Sequence, residues 1–541
     1  MARLKSYIFL LVTFYLTLFS SYLFACFTIL VGKDATVNKV ALIARSSDTK
    51  DARRSKLLKV YYKNHLHKLY IGLPYWDLEA DPTYDMPQVT TNRYGVSISA
   101  TETIQSNQLA LSLDPPSFAG RGVSEPNIPA IVMPDATSAI DAVKILGKAI
   151  EERGVNDSWG FGVLFSDKTE TWYLETLSTH QWVAIRIPDD VYFVAANGPQ
   201  QIQEYLPTKY TYLMSFYQVK SPIDFAHEHQ FANLKNGVFD FRATYGDIYA
   251  ANNNTSNYIR IAYAQHLLNP ATMPFNEDAI NKGTYPMFLK PENPISIEDI
   301  KAIQSSHYAE YPQYDPYIWS YKDTDNHPFY YPITVMRTSN AHVTEVREPL
   351  DQVDSSISNV QYIALGMPLI SVYLPIYYGI NKVPTSLTKA SNIADDFSLF
   401  WQFRKIQTLV FLHDPAKNIP YEFNARLQYV KQKYQTLDNY LKNKQNTMEK
   451  IYKIVRNTAL IDQFTQEAAD QIQEVNQQII NHFLTELNID ALYKLTNNAE
   501  RNTWFTNTLR EQDCFYRINK CNPKEKYFMQ TLRDKYVDEP V

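Results

Sequence analysis

Cysteine is scarce in this chain: three in 541 residues, at positions 26, 514 and 521. No histidine lies near the pair at 514 and 521, so a zinc site there lacks its remaining ligands. Glycine is sparse too, at 15 residues, whereas tyrosine is abundant at 40. That balance describes a packed, aromatic-rich chain rather than a flexible one. No basic run is present and the formal net charge is −5, which argues against a nucleic-acid partner. Past the first 25 residues no apolar stretch reaches the roughly 18 residues that suggest a membrane span. No internal repeat, low-complexity tract or long linker stands out. What remains is ordinary for a globular protein, 45% hydrophobic and 20% charged. The length suits one large domain with additions, or a few domains.

The N-terminus carries the most specific signal. Arg3 and Lys5 precede an almost wholly apolar run, Tyr7 to Phe24, and Ala25 supplies a small residue before Cys26. Residues 1–25 therefore read as a secretory signal peptide cut after Ala25 by a signal peptidase, and the protein is expected to be exported, to the periplasm or beyond. Cleavage leaves Cys26 with a thiol and a free α-amine on one residue. Such an amine titrates near pH ~7.7–8.0, close enough to neutrality to take the thiol proton and return it to a leaving group. Two other readings stay open: an ordinary cysteine after a signal peptide, and a lipobox-like Leu-x-Ala-Cys whose cysteine is acylated to anchor a binding protein. Against the anchor, Cys26 leads directly into Phe27–Val31, a β-branched and aromatic run that reads as buried strand rather than polar tether. In an oxidising compartment Cys514 and Cys521 are expected to pair, leaving Cys26 the single free thiol.

Residues 26 to about 197 are dominated by strand patterns: Phe27–Val31, Val40–Arg45, Leu58–Tyr62, Val96–Ala100, Phe161–Phe165, Thr171–Glu175, Trp182–Ile187 and Tyr192–Ala195. The last four read as an antiparallel meander. Ala136–Arg153 reads as a helix ended by Gly154. Antiparallel sheet layers with helices outside make an α+β sandwich. Further strands are expected at Tyr362–Leu365 and Ser371–Pro375. Segments 394–412, 421–443 and 447–487 read as polar, Gln- and Lys-rich helices, packed beside the core or across a homo-oligomer interface. The organisation expected is a signal peptide (1–25), a catalytic core (26–384) and a helical C-terminal portion (385–541).

If strands 27–31 and 40–44 form a hairpin, Arg45 returns beside Cys26. A guanidinium there favours the thiolate, and Asp48 can orient the ammonium or the arginine. These residues also carry a resemblance. Cys26 to Lys33 followed by Ile43-Ala44-Arg45-x-x-Asp48, then Tyr94 to Thr103, Gly160 to Asp167, Trp172 to Thr176, His180 to Asp190, Val194-Ala195-Ala196-Asn197 and Val372 to Gly379 occur in the order found in bacterial N-terminal-cysteine dipeptidases. The chain thus resembles the dipeptidase A group of the N-terminal-nucleophile hydrolases over most of its length. The resemblance implies a four-layer αββα sandwich, with Cys26 attacking the carbonyl of a dipeptide or small amide. Arg45 and Asp48 match the polar pair near the nucleophile, and Asn197 stands where related hydrolases place an oxyanion- or amine-orienting asparagine.

The chain departs from that pattern in two places. Asp34-Ala35-Thr36-Val37-Asn38-Lys39 lacks the usual Asp-Gly turn, and Arg45-Ser46-Ser47-Asp48 replaces Arg-Asn-Glu-Asp. A hydrolase of acyl-amino compounds on the same fold is the nearest alternative enzyme. His227-Glu228-His229 is expected on one strand face with no support for a metal. His342 receives no role, and nothing suggests a metal or an organic cofactor.

Overall fold

The computed structural model describes residues 26–48, 58–64, 67–72, 89–115, 122–156, 160–250, 253–283, 285–317, 330–351, 354–391, 393–414, 419–420, 423–486 and 498–515. The expected signal peptide and the Cys514–Cys521 bridge lie outside the described residues.

Two antiparallel sheets face one another. The first has six strands in the order Tyr192–Ala196, Phe27–Val31, Ala41–Asp48, Thr338–Val346, Asn359–Leu365 and Leu374–Tyr377. The second has eight, running from Tyr212–Met214 through Trp182–Ile187, Thr171–Thr176, Gly160–Ser166, Ser97–Ile104, Val89–Asn92 and His67–Gly72 to Lys59–Asn64. Strand alternation divides the apolar side chains into three layers. Leu30, Ile43, Phe193 and Ala195 meet Leu164, Tyr173, Val183 and Ile185 between the sheets. Phe27, Ile29, Leu42 and Val194 point the opposite way, toward the helices Ile259–Leu268 and Ile297–Gln304 and the C-terminal helices. On the outer face of the eight-stranded sheet, Ile98, Val163, Phe165, Trp172 and Leu174 pack against the helix Ala139–Arg153. The order is helix, sheet, sheet, helix: the α+β, αββα sandwich expected.

The opening hairpin forms with Phe27 opposite Ser46 and Thr28 opposite Arg45. Its connection opens with Gly32, where a Cβ would stand 2.3 Å from the Pro188 carbonyl oxygen, but the turn at 34–39 works without glycine. The Thr36 hydroxyl accepts from the Val40 amide and has the carbonyls of Lys33 and Val40 as acceptors for its one proton, at 2.9 and 2.8 Å, while Lys39 takes the left-handed conformation at φ 57°. A residue in that region ordinarily favours glycine; here the Thr36 side chain holds the loop.

Three expectations fail. The strand expected at Ser371–Pro375 begins only at Leu374 and runs to Tyr377. Only the strands 160–166, 171–176 and 182–187 form a meander. Tyr192–Ala196 leaves that sheet and pairs with Phe27–Val31, Phe27 opposite Ala196. The turn at Pro188–Val191 carries the chain across, and the Asp189 carbonyl accepts from the Asp34 amide on arrival. His227-Glu228-His229 is not strand. Ser221 caps a helix, Pro222–Glu228, through its hydroxyl and the Asp224 carboxylate, with Pro222 in the first turn. The C-terminal helices are Leu399–Val410, Phe423–Val455, Ala459–Glu486 and Asn498–Phe515. They share one apolar cluster with the six-stranded sheet.

Candidate active site

Cys26 immediately precedes the strand Phe27–Val31, which is paired on both edges. Register therefore sets Cys26 beside Asn197 on one neighbour and Ser47 on the other. Alternation turns its side chain, like those of Thr28 and Leu30, toward the layer between the sheets. The thiol is buried, with 3% of the residue exposed.

Arg45 lies on the same face one strand over. Its Nη2 donates to Cys26 Sγ at 3.2 Å and to Glu125 Oε1 at 2.8 Å, both contacts buried. Burial opposes the guanidinium charge, but the Cys26 and Glu125 partners outweigh it and hold Arg45 above its ordinary value. Glu125 comes from a short 3₁₀ turn, Glu125–Asn127. There the Ser124 amide donates to the Asn127 side chain, whose Nδ2 donates to the Gly122 carbonyl.

A second arginine approaches from the helix layer. Arg260, in Ile259–Leu268, donates through Nη1 to the Cys26 carbonyl at 3.0 Å. Through Nη2 it donates to Asn197 Oδ1 at 3.1 Å and to Asn257 Oδ1 at 3.2 Å. Asn257 in turn donates to Asn253 Oδ1, so a short chain of amides fixes the guanidinium. Burial lowers the pKa of Arg260 against the opposing field of Asp48.

Asp48 ends its strand, where its Oδ1 accepts from the Thr338 hydroxyl at 2.6 Å. Its other oxygen is buried and accepts no hydrogen bond among the described residues. Burial raises the carboxyl to about 6, against Arg337, the Thr338 bond, Arg260 and Arg45. His342 also sits between the sheets, with Nε2 2.9 Å from the Ser99 hydroxyl and Nδ1 3.3 Å from that of Thr344. Burial, then Arg45, lowers it to about 3, so its imidazole is neutral at physiological pH. Both of its nitrogens face hydroxyls and neither faces the sulfur.

The four residues singled out by sequence, Cys26, Arg45, Asp48 and Asn197, thus converge on one end of the six-stranded sheet. Arg260 and Glu125 join them unforeseen. A signal for the first existed: an arginine inside the apolar run Ile259-Arg260-Ile261-Ala262-Tyr263-Ala264 demands a buried anion or carbonyl. Glu125 offered less, only a Ser-Glu-Pro-Asn turn signature.

A buried cysteine thus stands at the head of an interior strand between two facing sheets, beside an arginine and an asparagine. Residues 25–417 match the model of peptidase family C69, so the chain belongs to that family and is a hydrolase of peptide bonds. It is 35% identical over 373 residues to a "Probable dipeptidase" of Salmonella dublin, covering 66% of this chain and 81% of that one. It is 30% identical over 393 residues to "Probable dipeptidase B" of Lactococcus lactis, covering 70% and 79%. Among solved structures, penicillin V acylase from Agrobacterium tumefaciens aligns with 68% of this chain and 89% of that one, at 12% identity. Its TM-score of 0.28 is too low to carry a fold argument.

Proposed function

We propose that the protein is an exported dipeptidase whose nucleophile is Cys26 after removal of residues 1–25. The observation that carries this reading is the 3.2 Å contact from Arg45 to the Cys26 sulfur at the head of the first strand. Further support comes from His342, which is neutral and bonded to hydroxyls, so this imidazole does not serve the thiol. The nearest base is then the cysteine's own α-amine.

The amine takes the thiol proton and sulfur attacks the peptide carbonyl carbon. The resulting oxyanion collapses, the C–N bond breaks, and the departing amine receives the proton from the ammonium. Water then cleaves the thioester, giving its proton to the amine as sulfur leaves. Arg45 balances charge on sulfur. Asn197 has its Oδ1 bound to Arg260, so Nδ2 is the end able to donate to the oxyanion. Asp48 suits the Cys26 ammonium, a donor of the right charge for its second oxygen.

Edman sequencing and intact mass of the exported protein test the maturation: Cys26 first, unblocked and unlipidated, is the expected result. A chain starting elsewhere, or a diacylglyceryl adduct, overturns it. Cys26→Ser is expected to abolish dipeptide hydrolysis, and full retention of rate removes the nucleophile.

A further inference from the structure

The buried Glu125 carboxylate has no part in the chemistry above, yet it sits one guanidinium away from the attacking sulfur. We propose that Glu125 is the anchor for the α-ammonium of the substrate, the residue that makes this site select peptides with a free amino end. The inference rests on the cysteine-dipeptidase reading and adds the substrate group that this side of the site recognises.

Geometry is the first support. Arg45 Nη2 contacts both Sγ, at 3.2 Å, and Glu125 Oε1, at 2.8 Å, so these two atoms lie no further apart than those distances combined, 6.0 Å. In a dipeptide the attacked carbon is joined to the Cα that bears the ammonium. Standard bond lengths place that nitrogen about 2.5 Å from the carbon. With the carbon held about 3–3.5 Å from sulfur for attack, a substrate turned toward Arg45 can bring its ammonium within hydrogen-bonding range of Oε1. In an N-acylated substrate, an uncharged amide replaces the ammonium.

Sidedness is the second. Cys26 and Arg45 project between the sheets, and Glu125 meets them there. Asp48 is held instead by Thr338, and Arg260 reaches the Cys26 carbonyl from the helix layer. The two carboxylates are thereby divided: Asp48 suits the enzyme's own amine and Glu125 the incoming one.

Charge is the third. When sulfur is ionised, the Arg45 guanidinium faces two anions, Sγ and Glu125, and the neutral His342 adds no charge there. An arriving ammonium brings a positive charge to the same place. A carboxylate has about four acceptor sites, so the Arg45 bond does not exhaust it. The carboxylate is also held in place: 6% of Glu125 is exposed, and the turn that carries it is closed by Ser124 and Asn127.

The test compares a dipeptide with its desamino analogue, identical but for the missing ammonium. As competitive inhibitors of the wild-type enzyme, the analogue is expected to be at least tenfold weaker. Equal inhibition overturns the proposal without any variant having to fold. In a Cys26→Ala background, calorimetry should show Glu125→Gln weakening the dipeptide at least tenfold and the analogue less than threefold. Equal losses for both would make Glu125 a structural partner of Arg45 and overturn the anchor. If wild type cleaves dipeptides through Cys26 while these comparisons fail, only the anchor falls. If Cys26→Ser retains the wild-type rate, the cysteine reading itself falls.

Discussion

Arg45 joins two anions through one nitrogen, so its charge and its shape matter separately. Arg45→Lys keeps the charge but loses the planar fork that holds sulfur and carboxylate at once. It is expected to lower kcat at least tenfold and to slow alkylation of Cys26 by iodoacetamide, read by mass spectrometry. Asn197→Ala removes the proposed oxyanion donor and should lower kcat by about 10²–10³-fold with a smaller change in KM. Asp48, in the role proposed, is expected to set the acid limb of activity. Its carboxyl is raised to about 6, so the carboxylate is lost as pH falls through that value, and kcat/KM should fall with it. His342 governs stability instead. Its folded value of about 3 lies below the ordinary 6.5, so the unfolded chain binds a proton that the folded one refuses. The neutral histidine is therefore fully tolerated above pH 6.5, and stability drains away as pH falls from 6.5 toward 3. His342→Gln should flatten that dependence in urea titrations at pH 4 to 7; an unchanged slope refutes the assignment.

At the scale of elements, legibility followed side-chain character. Phe27–Val31 and Trp182–Ile187 were readable to the residue because apolar and β-branched side chains fill them. Thr338–Val346, central in its sheet, was invisible. Its residues Thr338, Asn340, His342 and Thr344 bond to partners between and beside the sheets, so a buried strand reads as a polar loop. The long helices were placed, but the break between 423–455 and 459–486 was expected some ten residues earlier, because Gln- and Lys-rich sequence carries no stop signal at either point. The helix Ala139–Arg153 depends on Gly147 for close approach: a Cβ there would stand 2.2 Å from the Trp182 ring. Gly147→Ala improves helix propensity yet overpacks the interface. Thermal unfolding should show a net loss of about 1–3 kcal/mol.

For the molecule as a whole, three apolar layers are stacked by two sheets, and that order followed from antiparallel strands flanked by helices. The site was harder to read entire. Cys26, Arg45, Asp48 and Asn197 lie near strand ends whose pairing could be guessed, but Arg260 and Glu125 arrive from a helix and a turn whose placement only the tertiary packing decides. The sharing of one apolar cluster by the six-stranded sheet and the C-terminal helices has a direct consequence. Every residue of Leu399–Val410 is buried, so a chain ended at residue 384 would expose a broad apolar face. Such a truncation is expected to aggregate on expression, and a soluble, monomeric product in size-exclusion chromatography would refute this.

The first residues of most domains fray and are nibbled by exopeptidases. A strand clasped along both edges from its opening residue does not fray. In the maturation proposed, a terminus at Cys26 would offer scavenging aminopeptidases no loose end. If Cys26 is the nucleophile proposed, the one amino acid whose loss would end activity is held where another protease has little to grip.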